Sequence, residues 1–315
     1  MKLKFLCNQQ LLLFTRLKKL SWLALLCPIG SLQVSAQPAT AAPDSIAPAK
    51  HIKLAAVGLA IGYTGMLVGL SQTWYEQSEK TSFHFFNDNP EWLQLDKAGH
   101  FWGAFHESRL GIEALRAARV PEQKAIIYGS LLGFALQSPI ELLDGYAADY
   151  GASVGDLSAN AAGSLAVLVQ QLAWGELKIL PKFSFHRTAY ANLRPNVLGS
   201  NLPEELLKDY NGQTYWLTAN ISSFLPAQSA YPKWLNLALG YGGQRIVYGM
   251  PQENRQNGFD AYRQYYLALD LNLLHVKTRH KLLRTAFSLI SMVHLPAPTL
   301  EYNRKKGFRF HPVYF

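Results

Sequence analysis

Gly129-Ser130-Leu131-Leu132-Gly133-Phe134-Ala135-Leu136-Gln137-Ser138-Pro139-Ile140-Glu141-Leu142-Leu143-Asp144 is the stretch on which the fold turns. Gly129, Gly133, Gln137 and Glu141 recur every four residues and Asp144 follows three later, so one helical face passes from small residues into a carboxylate pair. A small face lets a second helix come close. An acidic end inside an apolar stretch demands partners, because an isolated buried charge is costly. The pattern predicts a helix over Glu122 to Leu143, either bent by Pro139 or restarted after a turn there.

Upstream, Asp96, His100, Gly103 and Glu107 repeat at four, three and four on a helix expected from about Glu91 to Ala118, while Phe101, Trp102, Phe105 and Leu110 cover its other faces. Lys97 lies beside Asp96 on a neighbouring stripe and has the reach to meet a headgroup or phosphate. His106 and Glu107 read as a solvated face, and His84 in Phe83-His84-Phe85-Phe86 as a loop residue. That aromatic run, with Trp74, Tyr75 and Trp92, also suits a membrane-interface belt.

Downstream, Gly145 to Gly151 is a loop, and Ser153 reads as the N-cap of a further helix with Asp156 in its first turn. On that helix Asp156, Asn160 and Ser164 form a polar stripe beside Gly155, Ala159 and Gly163. Earlier still, Leu54 to Leu70 is apolar, with Gly58, Gly62, Gly65 and Gly69 on one face. That face lets a neighbouring helix approach closely. The stretch's roughly 17 residues sit at the lower limit for crossing a bilayer, so a short membrane helix or a buried one is expected, membrane contact being the preferred reading. Residues 51–181 are therefore expected to be mainly α: a compact bundle of about four helices with Gly/Ala-lined interfaces and a polar patch inside.

The N-terminus is of another kind. Met1 to Lys19 carries five basic residues and no acid, Leu20 to Ile29 is apolar, and Val34-Ser35-Ala36 is a small-residue cleavage pattern, which marks 1–36 as an export signal. Residues 37–50, rich in Pro and Ala, read as a linker. Cys7 and Cys27 both fall in the signal, which excludes disulfides and Cys-based metal sites from the mature chain. Leu26 directly before Cys27 departs from a lipid-attachment pattern. Removing five basic residues lowers the formal charge from +9 to +4, too mild a balance for a nucleic-acid partner. The phosphate loop, nucleophile elbow and His-Glu-x-x-His patterns are missing from the sequence.

From about residue 182 to 315 the composition shifts to an α+β extension. A short helix is expected at Pro203 to Tyr210, strands at Trp234 to Tyr241 and Tyr262 to Leu273, a helix at Lys281 to His294, and a hairpin of Thr299 to Tyr302 with Phe308 to Phe315. In the second strand Tyr265, Leu267, Leu269 and Leu271 alternate with Tyr266, Ala268, Asp270 and Asn272, giving one buried or lipid-facing side. About four strands fall short of the roughly eight of a closed outer-membrane barrel, so a small antiparallel sheet beside the bundle is expected.

The order Asp96-Lys97-x-x-His100-Phe101, Glu141-x-x-Asp144 and Ser153-x-x-Asp156-Leu157-x-x-Asn160-x-x-Gly163 resembles the YfiM-like family of envelope proteins, over about Trp92 to Trp174. More distantly it is similar to VanZ-like membrane proteins. The resemblance implies a Gram-negative envelope location, often as a predicted lipoprotein, and no established activity. The expected location is the periplasm or outer membrane, with a membrane lipid or envelope component as partner.

Asp96, Lys97, His100, Glu141, Asp144, Ser153, Asp156 and Asn160 are the candidate site residues. Three chemistries fit them. They can form a hydrogen-bonded network that fixes helix register. They can bind a ligand or work as acid and base, with His100, Glu141 and Asp96 as catalytic candidates in an enzyme acting on a lipid-linked or cell-wall precursor. Their oxygens and one imidazole also suit a divalent metal as cofactor.

Overall fold

The computed structural model describes residues 78–315 apart from 227 and 277, together with helical positions 58, 61–65, 67–69 and 71–72. The expected export signal, the linker, both cysteines, Trp74 and Tyr75 lie outside the described residues. Three long helices follow one another: α1 (Leu95–Ala117), α2 (Glu122–Asp144) and α3 (Val154–Trp174), each packed on the other two. Glycine sets their separation. A Cβ on Gly133 would stand 1.9 Å from the carbonyl oxygen of Ala104, and one on Gly163 2.5 Å from that of Phe101, so both helices touch α1 backbone to backbone. Ser108 sits at this junction, donating to Ser130 O at 2.6 Å, with the hydroxyl of Ser164 3.0 Å from its Oγ.

Upstream, Tyr63 donates its hydroxyl to Leu136 O of α2. Among the described residues, an added Cβ at Gly58, Gly62 or Gly65 would meet nothing within 4 Å. Close approach is found at Gly133 and Gly163. Among the described residues α2 is the one helix long and apolar enough to cross a membrane, and Pro139 lies inside it without ending it.

α1 starts later than the expected Glu91, because Trp92, Leu93 and Gln94 have φ of 48°, 54° and 63°. A run of left-handed L-residues costs about 1–2 kcal/mol per residue. The C-terminal half holds it in place: Trp92 N donates to Gly249 O at 3.0 Å, Tyr241 donates to Leu93 O, and Arg263 donates to Gln94 Oε1 at 2.6 Å. Leu93 and Leu95 pack beneath it on Ile246.

The C-terminal part contains six strands, where the sequence suggested about four: β1 (Ile179–Phe185), β2 (Gln213–Ala219), β3 (Leu235–Gln244), β4 (Tyr262–Leu271), β5 (Ala297–Asn303) and β6 (Gly307–Tyr314). They form one antiparallel sheet in sequence order, and α4 (Lys281–Ile290) precedes β5. The sheet is curled. Lys182 of β1 and Asp270 of β4 are three strands and four residues of register apart, about 20 Å in a flat sheet, yet Lys182 Nζ is 2.7 Å from Asp270 Oδ2. Tyr314 of β6 likewise meets Thr214 of β2, at 3.1 Å between hydroxyls. The outer edge of β1 is paired as well, Phe183 N donating to Met292 O and His294 N to Phe183 O.

The two faces of this sheet are inverted relative to a soluble one. Inside lie Lys182, Thr214, Asn236, Gln264, Asp270 and Glu301, all buried, around Trp216 and Tyr266. Outside, the register aligns Phe183, Tyr215, Tyr241, Tyr265, Tyr302 and Phe308 in one row across all six strands. The next row outward along the strands is Leu217, Leu239, Leu267, Leu300 and Phe310. α1 covers the β1 end of the aromatic row, where Trp102 lies 5.8 Å from Phe183.

Candidate functional site

The site forms where α1 meets the loop before it and the N-terminal turn of α3. Ser153 caps α3, accepting from Asp156 N at 3.0 Å, and this brings Asp156 to the mouth of the helix facing α1. From α1, Lys97 reaches across and sets Nζ 3.0 Å from Asp156 Oδ1, 2.8 Å from Asp88 Oδ2 and 3.8 Å from Asp96 Oδ2. One turn further, His100 Nδ1 is 3.1 Å from Asn160 Oδ1. The other ring nitrogen, Nε2, faces Glu141 Oε1 at 3.7 Å and Asp96 Oδ1 at 3.9 Å.

Glu141 arrives from the end of α2, beyond Pro139. Its Oε2 accepts the backbone N–H of Ser153 at 3.0 Å, while Oε1 has no hydrogen-bond partner although the residue is 2 % exposed. Asp96, His100 and Asp156 each turn a ligand-capable atom to one small space, all within 4.8 Å of one another.

The electrostatics follow from burial among like charges. Desolvation pushes the Asp156 carboxyl up to about 8, the charge on Asp96 adding to it and His100 opposing. His100 is also desolvated, which opposes its protonation, but Asp96, Asp156 and Glu141 together raise its pKa above the ordinary histidine value. Burial opposes ionisation of Asp88 too; hydrogen bonds from Asp156, Lys97 and Ser153 prevail and hold it below the usual aspartate range. The two aspartates divide one proton, Asp156 being the one that keeps it.

Of the eight candidates, seven meet here: Asp96, Lys97, His100, Glu141, Ser153, Asp156 and Asn160. Asp144 points its charge elsewhere, raising the pKa of the half-buried Tyr150 after burial itself. Two further members, Asp88 and Tyr210, were not among the candidates. Asp88 comes from the polar quartet Asn87-Asp88-Asn89-Pro90 that precedes the strained turn, and accepts from Ser153 Oγ at 2.5 Å. Tyr210, from the segment between β1 and β2, donates to Asp96 Oδ1 at 2.9 Å. The quartet was a signal for Asp88; Tyr210 had none.

His106 and Glu107 are not a solvated face. β1 covers His106, which is buried with Nε2 2.8 Å from Pro181 O, while Glu107 turns to α2, accepting from Gln137 Nε2 at 2.8 Å, and desolvation pushes its carboxyl up to about 8. His84 serves its loop, Nε2 lying 2.9 Å from Tyr150 O.

Every acid of the site lies within one segment of the chain. Residues 84–171 match the family described as predicted periplasmic lipoprotein (DUF2279). The chain is thus an exported protein of the cell envelope, similar to a family whose description names no activity. The match takes in Asp88, Lys97, Glu141 and Asp156 but ends before Tyr210 and the whole sheet. No curated protein and no solved structure matches the chain.

Proposed function

We propose that this envelope protein binds a divalent cation between α1, α2 and α3. The observation that carries the reading is the convergence of Asp96, His100 and Asp156 within 4.8 Å, beside a buried Glu141 oxygen without a partner. Four carboxyl groups, on Asp88, Asp96, Glu141 and Asp156, face one ammonium, so the site is negative enough to attract a dication. The Asn160 oxygen supports the reading as well. By accepting Nδ1–H of His100 it leaves Nε2 facing the acids, the nitrogen that would give up its proton to a bound cation. Oxygen donors with one imidazole suit Mn²⁺ or Zn²⁺.

Binding would displace a proton from Asp156, so affinity should rise between pH 6 and pH 8. Titration calorimetry of the purified chain with MnCl₂ and ZnCl₂ at both pH values tests this, with Asp156→Asn and His100→Asn expected to abolish the heat. Absence of binding at either pH would leave a second reading, a network that locks helix register. The ion pairs of Lys97 with Asp88 and Asp156 favour that alternative. An enzyme acting on a lipid-linked or cell-wall precursor, with His100 and Glu141 as acid and base, has weaker support. The lysine it needs for an anionic substrate is already engaged by two carboxylates.

A further inference from the structure

We infer that the outer face of the curled sheet is seated against the acyl chains of a lipid membrane, independently of what the polar site binds. A sheet with an ionic interior and an apolar exterior wastes the hydrophobic effect in water. Lys182, Asp270 and Glu301 are shut inside while Leu239, Leu267 and Phe310 are 62 %, 42 % and 67 % exposed. Exposed apolar area of this extent on a soluble monomer marks a surface that something covers.

The order of residues along the strands identifies the cover. The outward row Tyr265, Tyr302 and Phe308 is followed by the row Leu267, Leu300 and Phe310, then by Leu269 and finally Leu271. Beyond the aromatic row, the β5–β6 turn carries Arg304, Lys305 and Lys306 against the single acid Asp260, which pairs with the first two. Cations, then aromatics, then aliphatics is the succession met on passing from anionic headgroups through the interface into hydrocarbon. From Leu267 to Leu271 the aliphatic rows span about 14 Å, and about 20 Å with the aromatic row of Tyr265, at 3.4 Å per residue, which fits within the roughly 25 Å apolar band of outer-membrane barrels. A protein partner would require no such layering. α3 presents further apolar residues to the outside, Leu165, Val169 and Leu172, at helical spacings of four and three.

The test uses the full chain with Cys7→Ser and Cys27→Ser, which removes any lipid attached at Cys27. It is reconstituted in vesicles of phosphatidylethanolamine and phosphatidylglycerol. Nitroxide labels are placed singly through Leu267→Cys, Tyr302→Cys and Lys306→Cys, all exposed positions that tolerate a label. The expected result is an oxygen-to-nickel-chelate collision ratio several-fold higher at 267 than at 306, with 302 between them. Equal nickel access at 267 and 306 would overturn the inference, as would loss of both oxygen and nickel access at 267, which would mean protein covers the face. The pair Leu239→Asp and Leu267→Asp adds a second readout: co-flotation with the vesicles is expected to be lost while the melting temperature in detergent is kept, and retained co-flotation would count against lipid contact.

Discussion

Tyr210 donates its hydroxyl to Asp96 Oδ1 across 2.9 Å, joining the segment between β1 and β2 to the first acid of α1. The contact makes the polar site a product of both halves of the chain. Tyr210→Phe keeps the ring, which packs against Trp92 at 5.1 Å, and removes only the donor. A loss of about 1 kcal/mol in unfolding free energy is expected, readable by denaturant titration, with the slope of the transition unchanged.

Lys97 is the one ammonium among four carboxyl groups. Lys97→Met leaves Asp88 and Asp156 facing each other without it, and removing one partner of a buried ion pair costs about 3–5 kcal/mol. A second substitution, Asp88→Asn, should restore much of that loss. A double-mutant cycle on thermal melts checks the expectation, and strict additivity of the two substitutions would contradict it.

The pH dependence has a definite sign. Asp156 in the folded chain titrates near 8, above its ordinary value, so the folded state holds a proton that the unfolded state gives up. Its contribution is complete below about pH 4 and is lost as pH rises toward 8. His100 is raised as well, so its contribution is complete below about 6.5 and fades above that, in the same direction. Asp88 works oppositely, being depressed, and its contribution disappears only as pH falls below the usual aspartate range. In metal-free buffer, stability should therefore fall from pH 5 to pH 8. Asp156→Asn should flatten that fall, with the part remaining due to His100, to Glu141, which burial also raises, and to Glu107, whose carboxyl is pushed up to about 8. Melting temperatures across this range decide it.

Gly133→Ala is expected to be among the most damaging small substitutions. The added methyl would fall 1.9 Å from the carbonyl oxygen of Ala104 and 2.5 Å from Ser108 Oγ, and neither backbone can retreat without parting α1 from α2. Overpacking of this kind typically costs about 1–3 kcal/mol. Among the described residues the same change at Gly58 meets nothing within 4 Å, so no overpacking loss is expected there. Parallel thermal melts of the two variants provide the comparison.

How far the sequence led depended on which periodicity carried the information. The four-residue spacing of Gly129, Gly133 and Glu141, and the cap at Ser153, were readable because helical neighbours are local. The site could be located from them because Asp96, His100, Glu141 and Asp156 each end or interrupt a small-residue face. β3, β4 and the final hairpin were readable from alternation. β1 and β2 were not, because Lys182, Ser184 and Thr214 are the inward residues and a reader expects polar side chains outside. An inverted sheet hides its strands from the usual rule. Asp88 and Tyr210 were missed for a different reason, since both join the site through contacts between segments far apart in the chain.

The left-handed turn at Trp92 to Gln94 has a bearing on how the molecule comes together. Its φ values are maintained by Gly249, Tyr241 and Arg263, residues that follow Asp156 by more than eighty positions. During synthesis, α1, α2 and α3 are complete long before those anchors exist. The helices can assemble early, but the turn that aims Asp96 locks only when β3 and β4 have paired. Maturation of the polar site is in this way timed by the arrival of the sheet.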